Sequence, residues 1–151
     1  MNILQILKYP DKRLKKPCVD IQIPYPKYIY ELVDRMKLTI KEHKALGLSA
    51  PQIGFNIKLF VTKDDVFINP IMKYDGFTVQ SIESCLSIPE KSYKITRYLY
   101  IEIDYLDIEG KNKKQILRKD KAIVCQHEYD HLKGMLINSY GKLVKNVKRN
   151  K

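Results

Sequence analysis

The sequence predicts an α+β fold, with short antiparallel sheets packed around a central helix that carries the motif HExxH. Three observations predict it. An amphipathic helical stretch lies in the first third of the chain, strand-like runs broken by turn dipeptides fill the middle, and a second helical stretch follows them.

Ile21 to Lys27 holds Pro24 and Pro26 and reads as an extended entry to a helix. From about Tyr28 to Lys44 the apolar residues Ile29, Leu32, Val33, Met36 and Ile40 share one helical face, which is a core-packing stripe. The segment ALGLSAPQIG, Ala45 to Gly54, is too rich in small residues and proline to stay regular for long. Ile57 to Thr62, Val66 to Ile68 and Phe77 to Ile82 read as strands, with turns expected at Asn69-Pro70 and Asp75-Gly76. Ser84 to Pro89 is expected to be irregular or extended. Leu99, Ile101, Ile103 and Tyr105 alternate with polar-edged neighbours, as in a strand with one buried face. The turn DIEGKNK leads to a partner strand near Gln115 to Arg118. Asp120 is the expected N-cap of the second helix, which runs to about Lys133, and Gly134 sits where a left-handed C-cap belongs.

Composition bounds the function. With 151 residues, 44% hydrophobic and 30% charged, the chain is expected to be a single domain with its own core, followed by a short basic tail from about residue 138. The longest uncharged stretch, Ala45 to Ile57, contains Pro51 and two glycines, so no membrane span is expected. The N-terminus lacks the pattern of a signal peptide, and the expected setting is the cytoplasm. Lysine and arginine number 28 against 17 acids, a net charge of +11 that favours polyanionic company such as ribonucleoprotein. Three cysteines, Cys18, Cys85 and Cys125, read as reduced thiols.

The chemistry concentrates at His127-Glu128-Tyr129-Asp130-His131. Residues i and i+4 share a helix face, so both imidazoles can reach one metal ion, and Glu128 can take a proton from a water beside it. Two buried core histidines are the bland alternative. A catalytic ion needs a third protein ligand and an open position. No His, Asp, Glu or Cys follows His131, and the third histidine position of the long zinc-protease motif is Ile137, so the ligand must lie upstream. His43 reads better as a helix C-terminal cation, and Cys125 lies roughly 200° around the helix from His127. Cys18 stands in a charged stretch with few other ligand types. Cys85 is the best candidate, giving a Cys/His/His shell suited to Fe(II) or Zn(II).

Three segments together resemble the peptide deformylase family, whose motifs have the forms GxGLAAPQ, EGCLS and QHExDH. Here they stand as ALGLSAPQ (Ala45 to Gln52), ESCLS (Glu83 to Ser87) and QHEYDH (Gln126 to His131). The resemblance implies removal of the formyl group from the initiator methionine of nascent chains. It implies one divalent ion on Cys85, His127 and His131, natively Fe(II), with Zn(II), Ni(II) or Co(II) as substitutes. Glu128 would be the acid/base, and the Gln52 side-chain amide with the Leu86 backbone N–H would form the oxyanion site. Gly47 and Leu46 would contact the substrate peptide. The chain departs from the family forms at Ala45, Ser49 and Ser84. The expected partners are formyl-Met nascent peptides and, through the basic tail, ribosomal RNA, for a monomer. The alternatives are another metal-dependent N-acyl amidase and a non-catalytic ribosome-associated relative.

Overall fold

The computed structural model describes residues 2–146. Helix α1 (Tyr28–His43) begins two residues after Pro26 and ends at Lys44, which takes the left-handed conformation (φ 52°) that caps helices more often with glycine. All five apolar residues of the expected stripe are buried on it, together with Thr39. The Thr39 hydroxyl donates to the Arg35 carbonyl (2.7 Å) and accepts from the Leu4 N–H (2.9 Å), so the stripe also pins the N-terminal segment.

Strands β1 (Gly47–Ser49), β2 (Leu59–Thr62), β3 (Val66–Cys85), β4 (Ile88–Leu106) and β5 (Asn112–Arg118) pair antiparallel in that order. A sixth strand, β6 (Lys142–Asn146), adds to β4. The sheet corrects several expectations. The runs at 66–68 and 77–82 are parts of one 20-residue strand, and neither Asn69-Pro70 nor Asp75-Gly76 reverses the chain. Each is a register shift against β4, between Ile68 and Ile71 and between Asp75 and Thr78. Asn69 (φ 49°) and Gly76 (φ 77°) supply the left-handed backbone that bends a strand without ending it. Asn69 can do this because its side chain is held at both ends: Oδ1 accepts from the Ile21 N–H and Nδ2 donates to the Ile21 carbonyl. Of the two options for Ser84 to Pro89, the extended one holds. Cys85 closes β3, Ile88 opens β4, and Leu86-Ser87 form the tight turn between them.

Helix α2 (Lys119–Leu132) is central. It packs against β1, β2, β4 and β5, and its buried residues include Gln126, Glu128, Asp130 and His131 as well as Ala122, Cys125 and Leu132. Arg118, not Asp120, is its N-cap residue; Asp120 falls in the first turn, where its charge still suits the helix dipole. Gly134 has φ 75°, as expected for the C-cap region. The Gln126 amide docks the helix to the sheet. It donates to the Tyr98 carbonyl (2.8 Å) and accepts from the Tyr98 N–H (2.9 Å), as an added strand would.

A helical reading of the basic segment after 137 would gather Lys142, Lys145 and Lys148 on one side. The structure instead shows a short helix α3 (Ile137–Tyr140) and then β6, while residues 147–151, with Lys148, Arg149 and Lys151, lie outside the described residues. Among the described residues no helix is long and apolar enough to cross a membrane.

Candidate active site

The site forms where three elements meet: the β1 edge with the 3-10 turn Ala50–Ile53, the β3–β4 turn, and one face of α2. It opens into a cleft of ≈ 990 Å³. Gly47, Gln52, Cys85, Leu86, His127 and Glu128 all line that cleft, and so does the exposed side chain of Leu46.

One ligand atom each from Cys85, His127 and His131 lies within 4.8 Å of the others. The Cys85 Sγ is 3.4 Å from the His131 Nε2. The i, i+4 spacing on α2 brings the two rings to 5.2 Å between centroids. Cys85 is added from outside the helix by the tight turn that ends β3. The other candidates go elsewhere. Cys125 borders the cleft but packs into the apolar core and is not part of the cluster, and burial pushes its thiol well above the ordinary value. Cys18 is likewise in that core and is pushed up to about 11 by burial. His43 is exposed near the end of α1.

The donor set fits a soft or borderline cation. A thiol and two imidazoles converge, and they are held by a polar frame. The His127 Nδ1 meets the Glu83 Oε1 at 2.8 Å, which leaves Nε2 for the cluster. Burial favours a neutral ring at His127, but hydrogen bonds to Cys85 and Glu83 reverse this and raise it well above the ordinary histidine value. Two acceptors thus call for positive charge at that ring, from a proton or from a metal ion in its place. His131 is driven the other way, well below the ordinary value, by burial and by the neighbouring His127 and Arg97.

Glu83 is itself anchored. Arg97 meets it with two hydrogen bonds of 2.8 Å and reaches the Asp130 carboxylate with its remaining arm at 2.6 Å. The Tyr140 hydroxyl donates to the same Asp130 oxygen (2.6 Å). Burial alone would raise the Glu83 carboxyl, but Arg97 and His127 outweigh it and hold the pKa at about 2.

The remaining chemical groups surround the three donors. The Gln52 side chain is set by a capping box: its Oε1 accepts from the Ser49 N–H at 3.0 Å. That leaves Nε2 directed at the Cys85 Sγ (3.6 Å) and the Ser87 Oγ (3.2 Å). Glu128 is 5% exposed, and burial raises its pKa although the His127 ring and the Ser49 hydroxyl pull it down. A carboxyl raised in this way is suited to passing a proton in both directions. Gly47 is needed beside it. A Cβ there would stand 3.0 Å from both the Cγ and the Oε2 of Glu128. The departures at Ala45 and Ser84 carry no backbone strain, since neither has positive φ.

Of the residues given roles from the sequence, Leu46, Gly47, Gln52, Cys85, Leu86, His127 and Glu128 border one cleft, and His131 joins them through its 3.4 Å contact with Cys85. Those that sequence reasoning passed over are the supports: Arg97, Asp130, Tyr140, Ser87 and the hydroxyl of Ser49. Asp130, Ser49 and Ser87 stand inside the three motifs, but nothing in the spacing says whom they touch. Arg97 lies in a strand with no motif around it.

A thiol–imidazole cluster, a buried carboxyl and an amide donor beside one cleft are the parts that a metal-dependent hydrolase of amide bonds requires. Comparison with known proteins narrows the class. The family model for polypeptide deformylase matches residues 3–147, and the chain belongs to that family. A peptide deformylase of Karelsulcia muelleri is 41% identical over 89% of this chain and 76% of its own. One from Desulfotalea psychrophila is 34% identical over 99% of this chain and 92% of its own. Among solved structures, the peptide deformylase of Thermotoga maritima superposes with a TM-score of 0.87 at 28% identity, covering 97% of this chain and 99% of that one. The Plasmodium falciparum enzyme in complex with an inhibitor gives 0.85 at 32% identity, covering 93% and 90%. The protein is a metal-dependent enzyme that removes the N-formyl group from nascent polypeptides.

Proposed function

We propose that Cys85, His127 and His131 hold one divalent ion, natively Fe(II), and that deformylation is carried out around it by Glu128, Gln52 and the Leu86 N–H. The observation that carries this reading is the convergence of three soft or borderline donors with the Gln52 amide and the Glu128 carboxylate on one cleft wall. An ion held by these three residues would supply Lewis acidity for the attack of water on the formyl group. Glu128 takes the proton from that water and gives it to the departing amine of the methionine. The Gln52 Nε2–H and the Leu86 N–H donate to the oxygen on which negative charge grows. Gly47 and Leu46 present the β1 edge to the substrate backbone. Ile88, Leu117, Ile123 and Val124 line the apolar part of the cleft and suit a methionine side chain; Asp120 and Lys121 also border it.

The test of the metal set is direct. Cys85→Ala should lose stoichiometric metal and formate release from formyl-Met-Ala-Ser, while Cys18→Ala, Cys125→Ala and His43→Ala keep both. Full metal content in Cys85→Ala would sink the assignment. An Fe(II) centre with a thiolate should also lose activity faster in air than under argon.

The expected setting is the cytoplasm, with the enzyme acting as a monomer on chains leaving the ribosome. Its electrostatic contact there is assigned to the basic C-terminal segment and ribosomal RNA. Lys94 of β4 and Lys142 of β6 stand directly opposite each other, a like-charge pairing that a nearby anion relieves. Cutting after Asn146 keeps β6 and removes Lys148, Arg149 and Lys151. Co-sedimentation with ribosomes should then weaken at low salt, with turnover of a free formyl-peptide unchanged. Identical co-sedimentation of the two forms would dispose of the docking role for these residues.

A further inference from the structure

We propose that Ser49 is a positioning residue for deformylation, holding the Glu128 carboxylate in register with the Gln52 amide. The proposal rests on the reading of Glu128 as the acid/base. Ser49 is fully buried, at 0% exposure, yet is polar. Its Oγ lies 2.7 Å from the Glu128 Oε1 and 3.2 Å from the Gln52 Oε1, and its N–H donates to that same Gln52 oxygen. One residue therefore touches both groups assigned to the chemistry. The hydroxyl has a single proton, and the shorter contact directs it to Glu128.

The geometry of β1 explains why this works. Gly47 and Ser49 are two apart on a strand, so they face the same side. Gly47 leaves the space that the carboxylate occupies, and Ser49 supplies a donor beside it. A glutamate side chain has three rotatable bonds, and α2 fixes only the first atoms of this one. Among the described residues, Ser49 is the hydrogen-bond donor to the Glu128 carboxylate. Without the hydroxyl, the carboxylate keeps its place in the cleft wall but loses the contact that selects one rotamer. Proton transfer depends on that orientation more than substrate binding does.

This predicts a split between kcat and KM. Metal-loaded Ser49→Ala, which restores the alanine of the GxGLAAPQ form, should keep its metal stoichiometry and its Tm. Its kcat on formyl-Met-Ala-Ser should fall roughly tenfold, the scale of one hydrogen bond to a charged group, with KM within about twofold. In a crystal structure of the variant, the Glu128 carboxylate should be displaced or split between rotamers. In a Glu128→Ala background, followed by single-turnover formate release, Ser49→Ala should add no further loss, because there is no carboxylate left to orient. An unmoved single Glu128 rotamer, a kcat within twofold of wild type, or the same fold-loss in both backgrounds would overturn the proposal. Near-wild-type turnover in Glu128→Ala alone would overturn the acid/base reading and the proposal with it. Loss in Glu128→Ala beside unaffected Ser49→Ala would overturn the positioning role only.

Discussion

Glu128→Gln should bind as much metal as the wild-type enzyme and lose roughly 10³-fold or more of its kcat on a formyl-Met peptide. The substitution keeps the volume and the hydrogen-bonding outline of the side chain, so the cluster of Cys85, His127 and His131 keeps its shape. What it removes is the ability to accept and return a proton. The environment of the native carboxyl suits proton transfer, since it is buried, its pKa is raised by that burial, and it sits one residue along α2 from His127. Gln52→Ala should likewise keep its metal, but its loss should be smaller, roughly 10²-fold, since it removes one of several groups facing the developing charge. Metal analysis and steady-state kinetics on the same samples check both. A Glu128→Gln enzyme that turns over within tenfold of wild type would remove Glu128 from its role.

The contrast between these residues and their supports shows what could be read in the sequence. Cys85, His127, His131 and Glu128 were legible because a metal site and a proton transfer need those residue types, and because HExxH fixes two of the ligands on one helix face; Gln52 was legible only through the resemblance of ALGLSAPQ to the family motif. The α1 stripe was legible because burial of one face imposes a 3.6-residue period. The long β3–β4 ladder was not. Asn69-Pro70 and Gly76 are turn residues by propensity, and only the pairing with β4 turns them into bulges within one strand. The β6 strand was hidden for a similar reason. Its sequence, KLVKN, is short and basic, and its strand conformation depends on an edge of β4 that lies far away in the sequence.

The polar frame under the site was illegible for a different reason. Glu83 and Asp130 stand in motifs, but their role depends on a cation supplied from mid-strand. Arg97 is that cation, 4% exposed and bonded to both carboxylates, with the Tyr140 hydroxyl 3.2 Å from its Nη2. A lone arginine in a strand reads from sequence as a solvated residue, since arginine is rarely buried unless paired.

That burial makes Arg97→Met the substitution with the largest expected effect on stability. Methionine fills much of the same volume but leaves Glu83 and Asp130 buried without their counter-charge. Removing one partner of a buried ion pair costs about 3–5 kcal/mol, far more than an exposed pair would. For a chain of this length that lowers Tm by about 10 °C or more. The effect should depend on pH with a definite sign. In the native protein the Glu83 pKa is depressed from 4.5 to about 2 by Arg97 and His127 acting against burial. Its contribution is therefore present above pH ~4.5 and is lost as pH falls toward 2. In the variant, burial acts on Glu83 with less opposition, so the penalty is greatest at neutral pH and shrinks as the carboxyl takes up a proton. The gap in unfolding free energy between wild type and Arg97→Met, measured by urea titration, should thus narrow from pH ~7 to pH ~4. The variant should also bind its metal more weakly at neutral pH, because the Glu83 carboxylate that orients the His127 ring is no longer fixed. An Arg97→Met enzyme with wild-type stability and full metal occupancy would show that the frame does not hold the site.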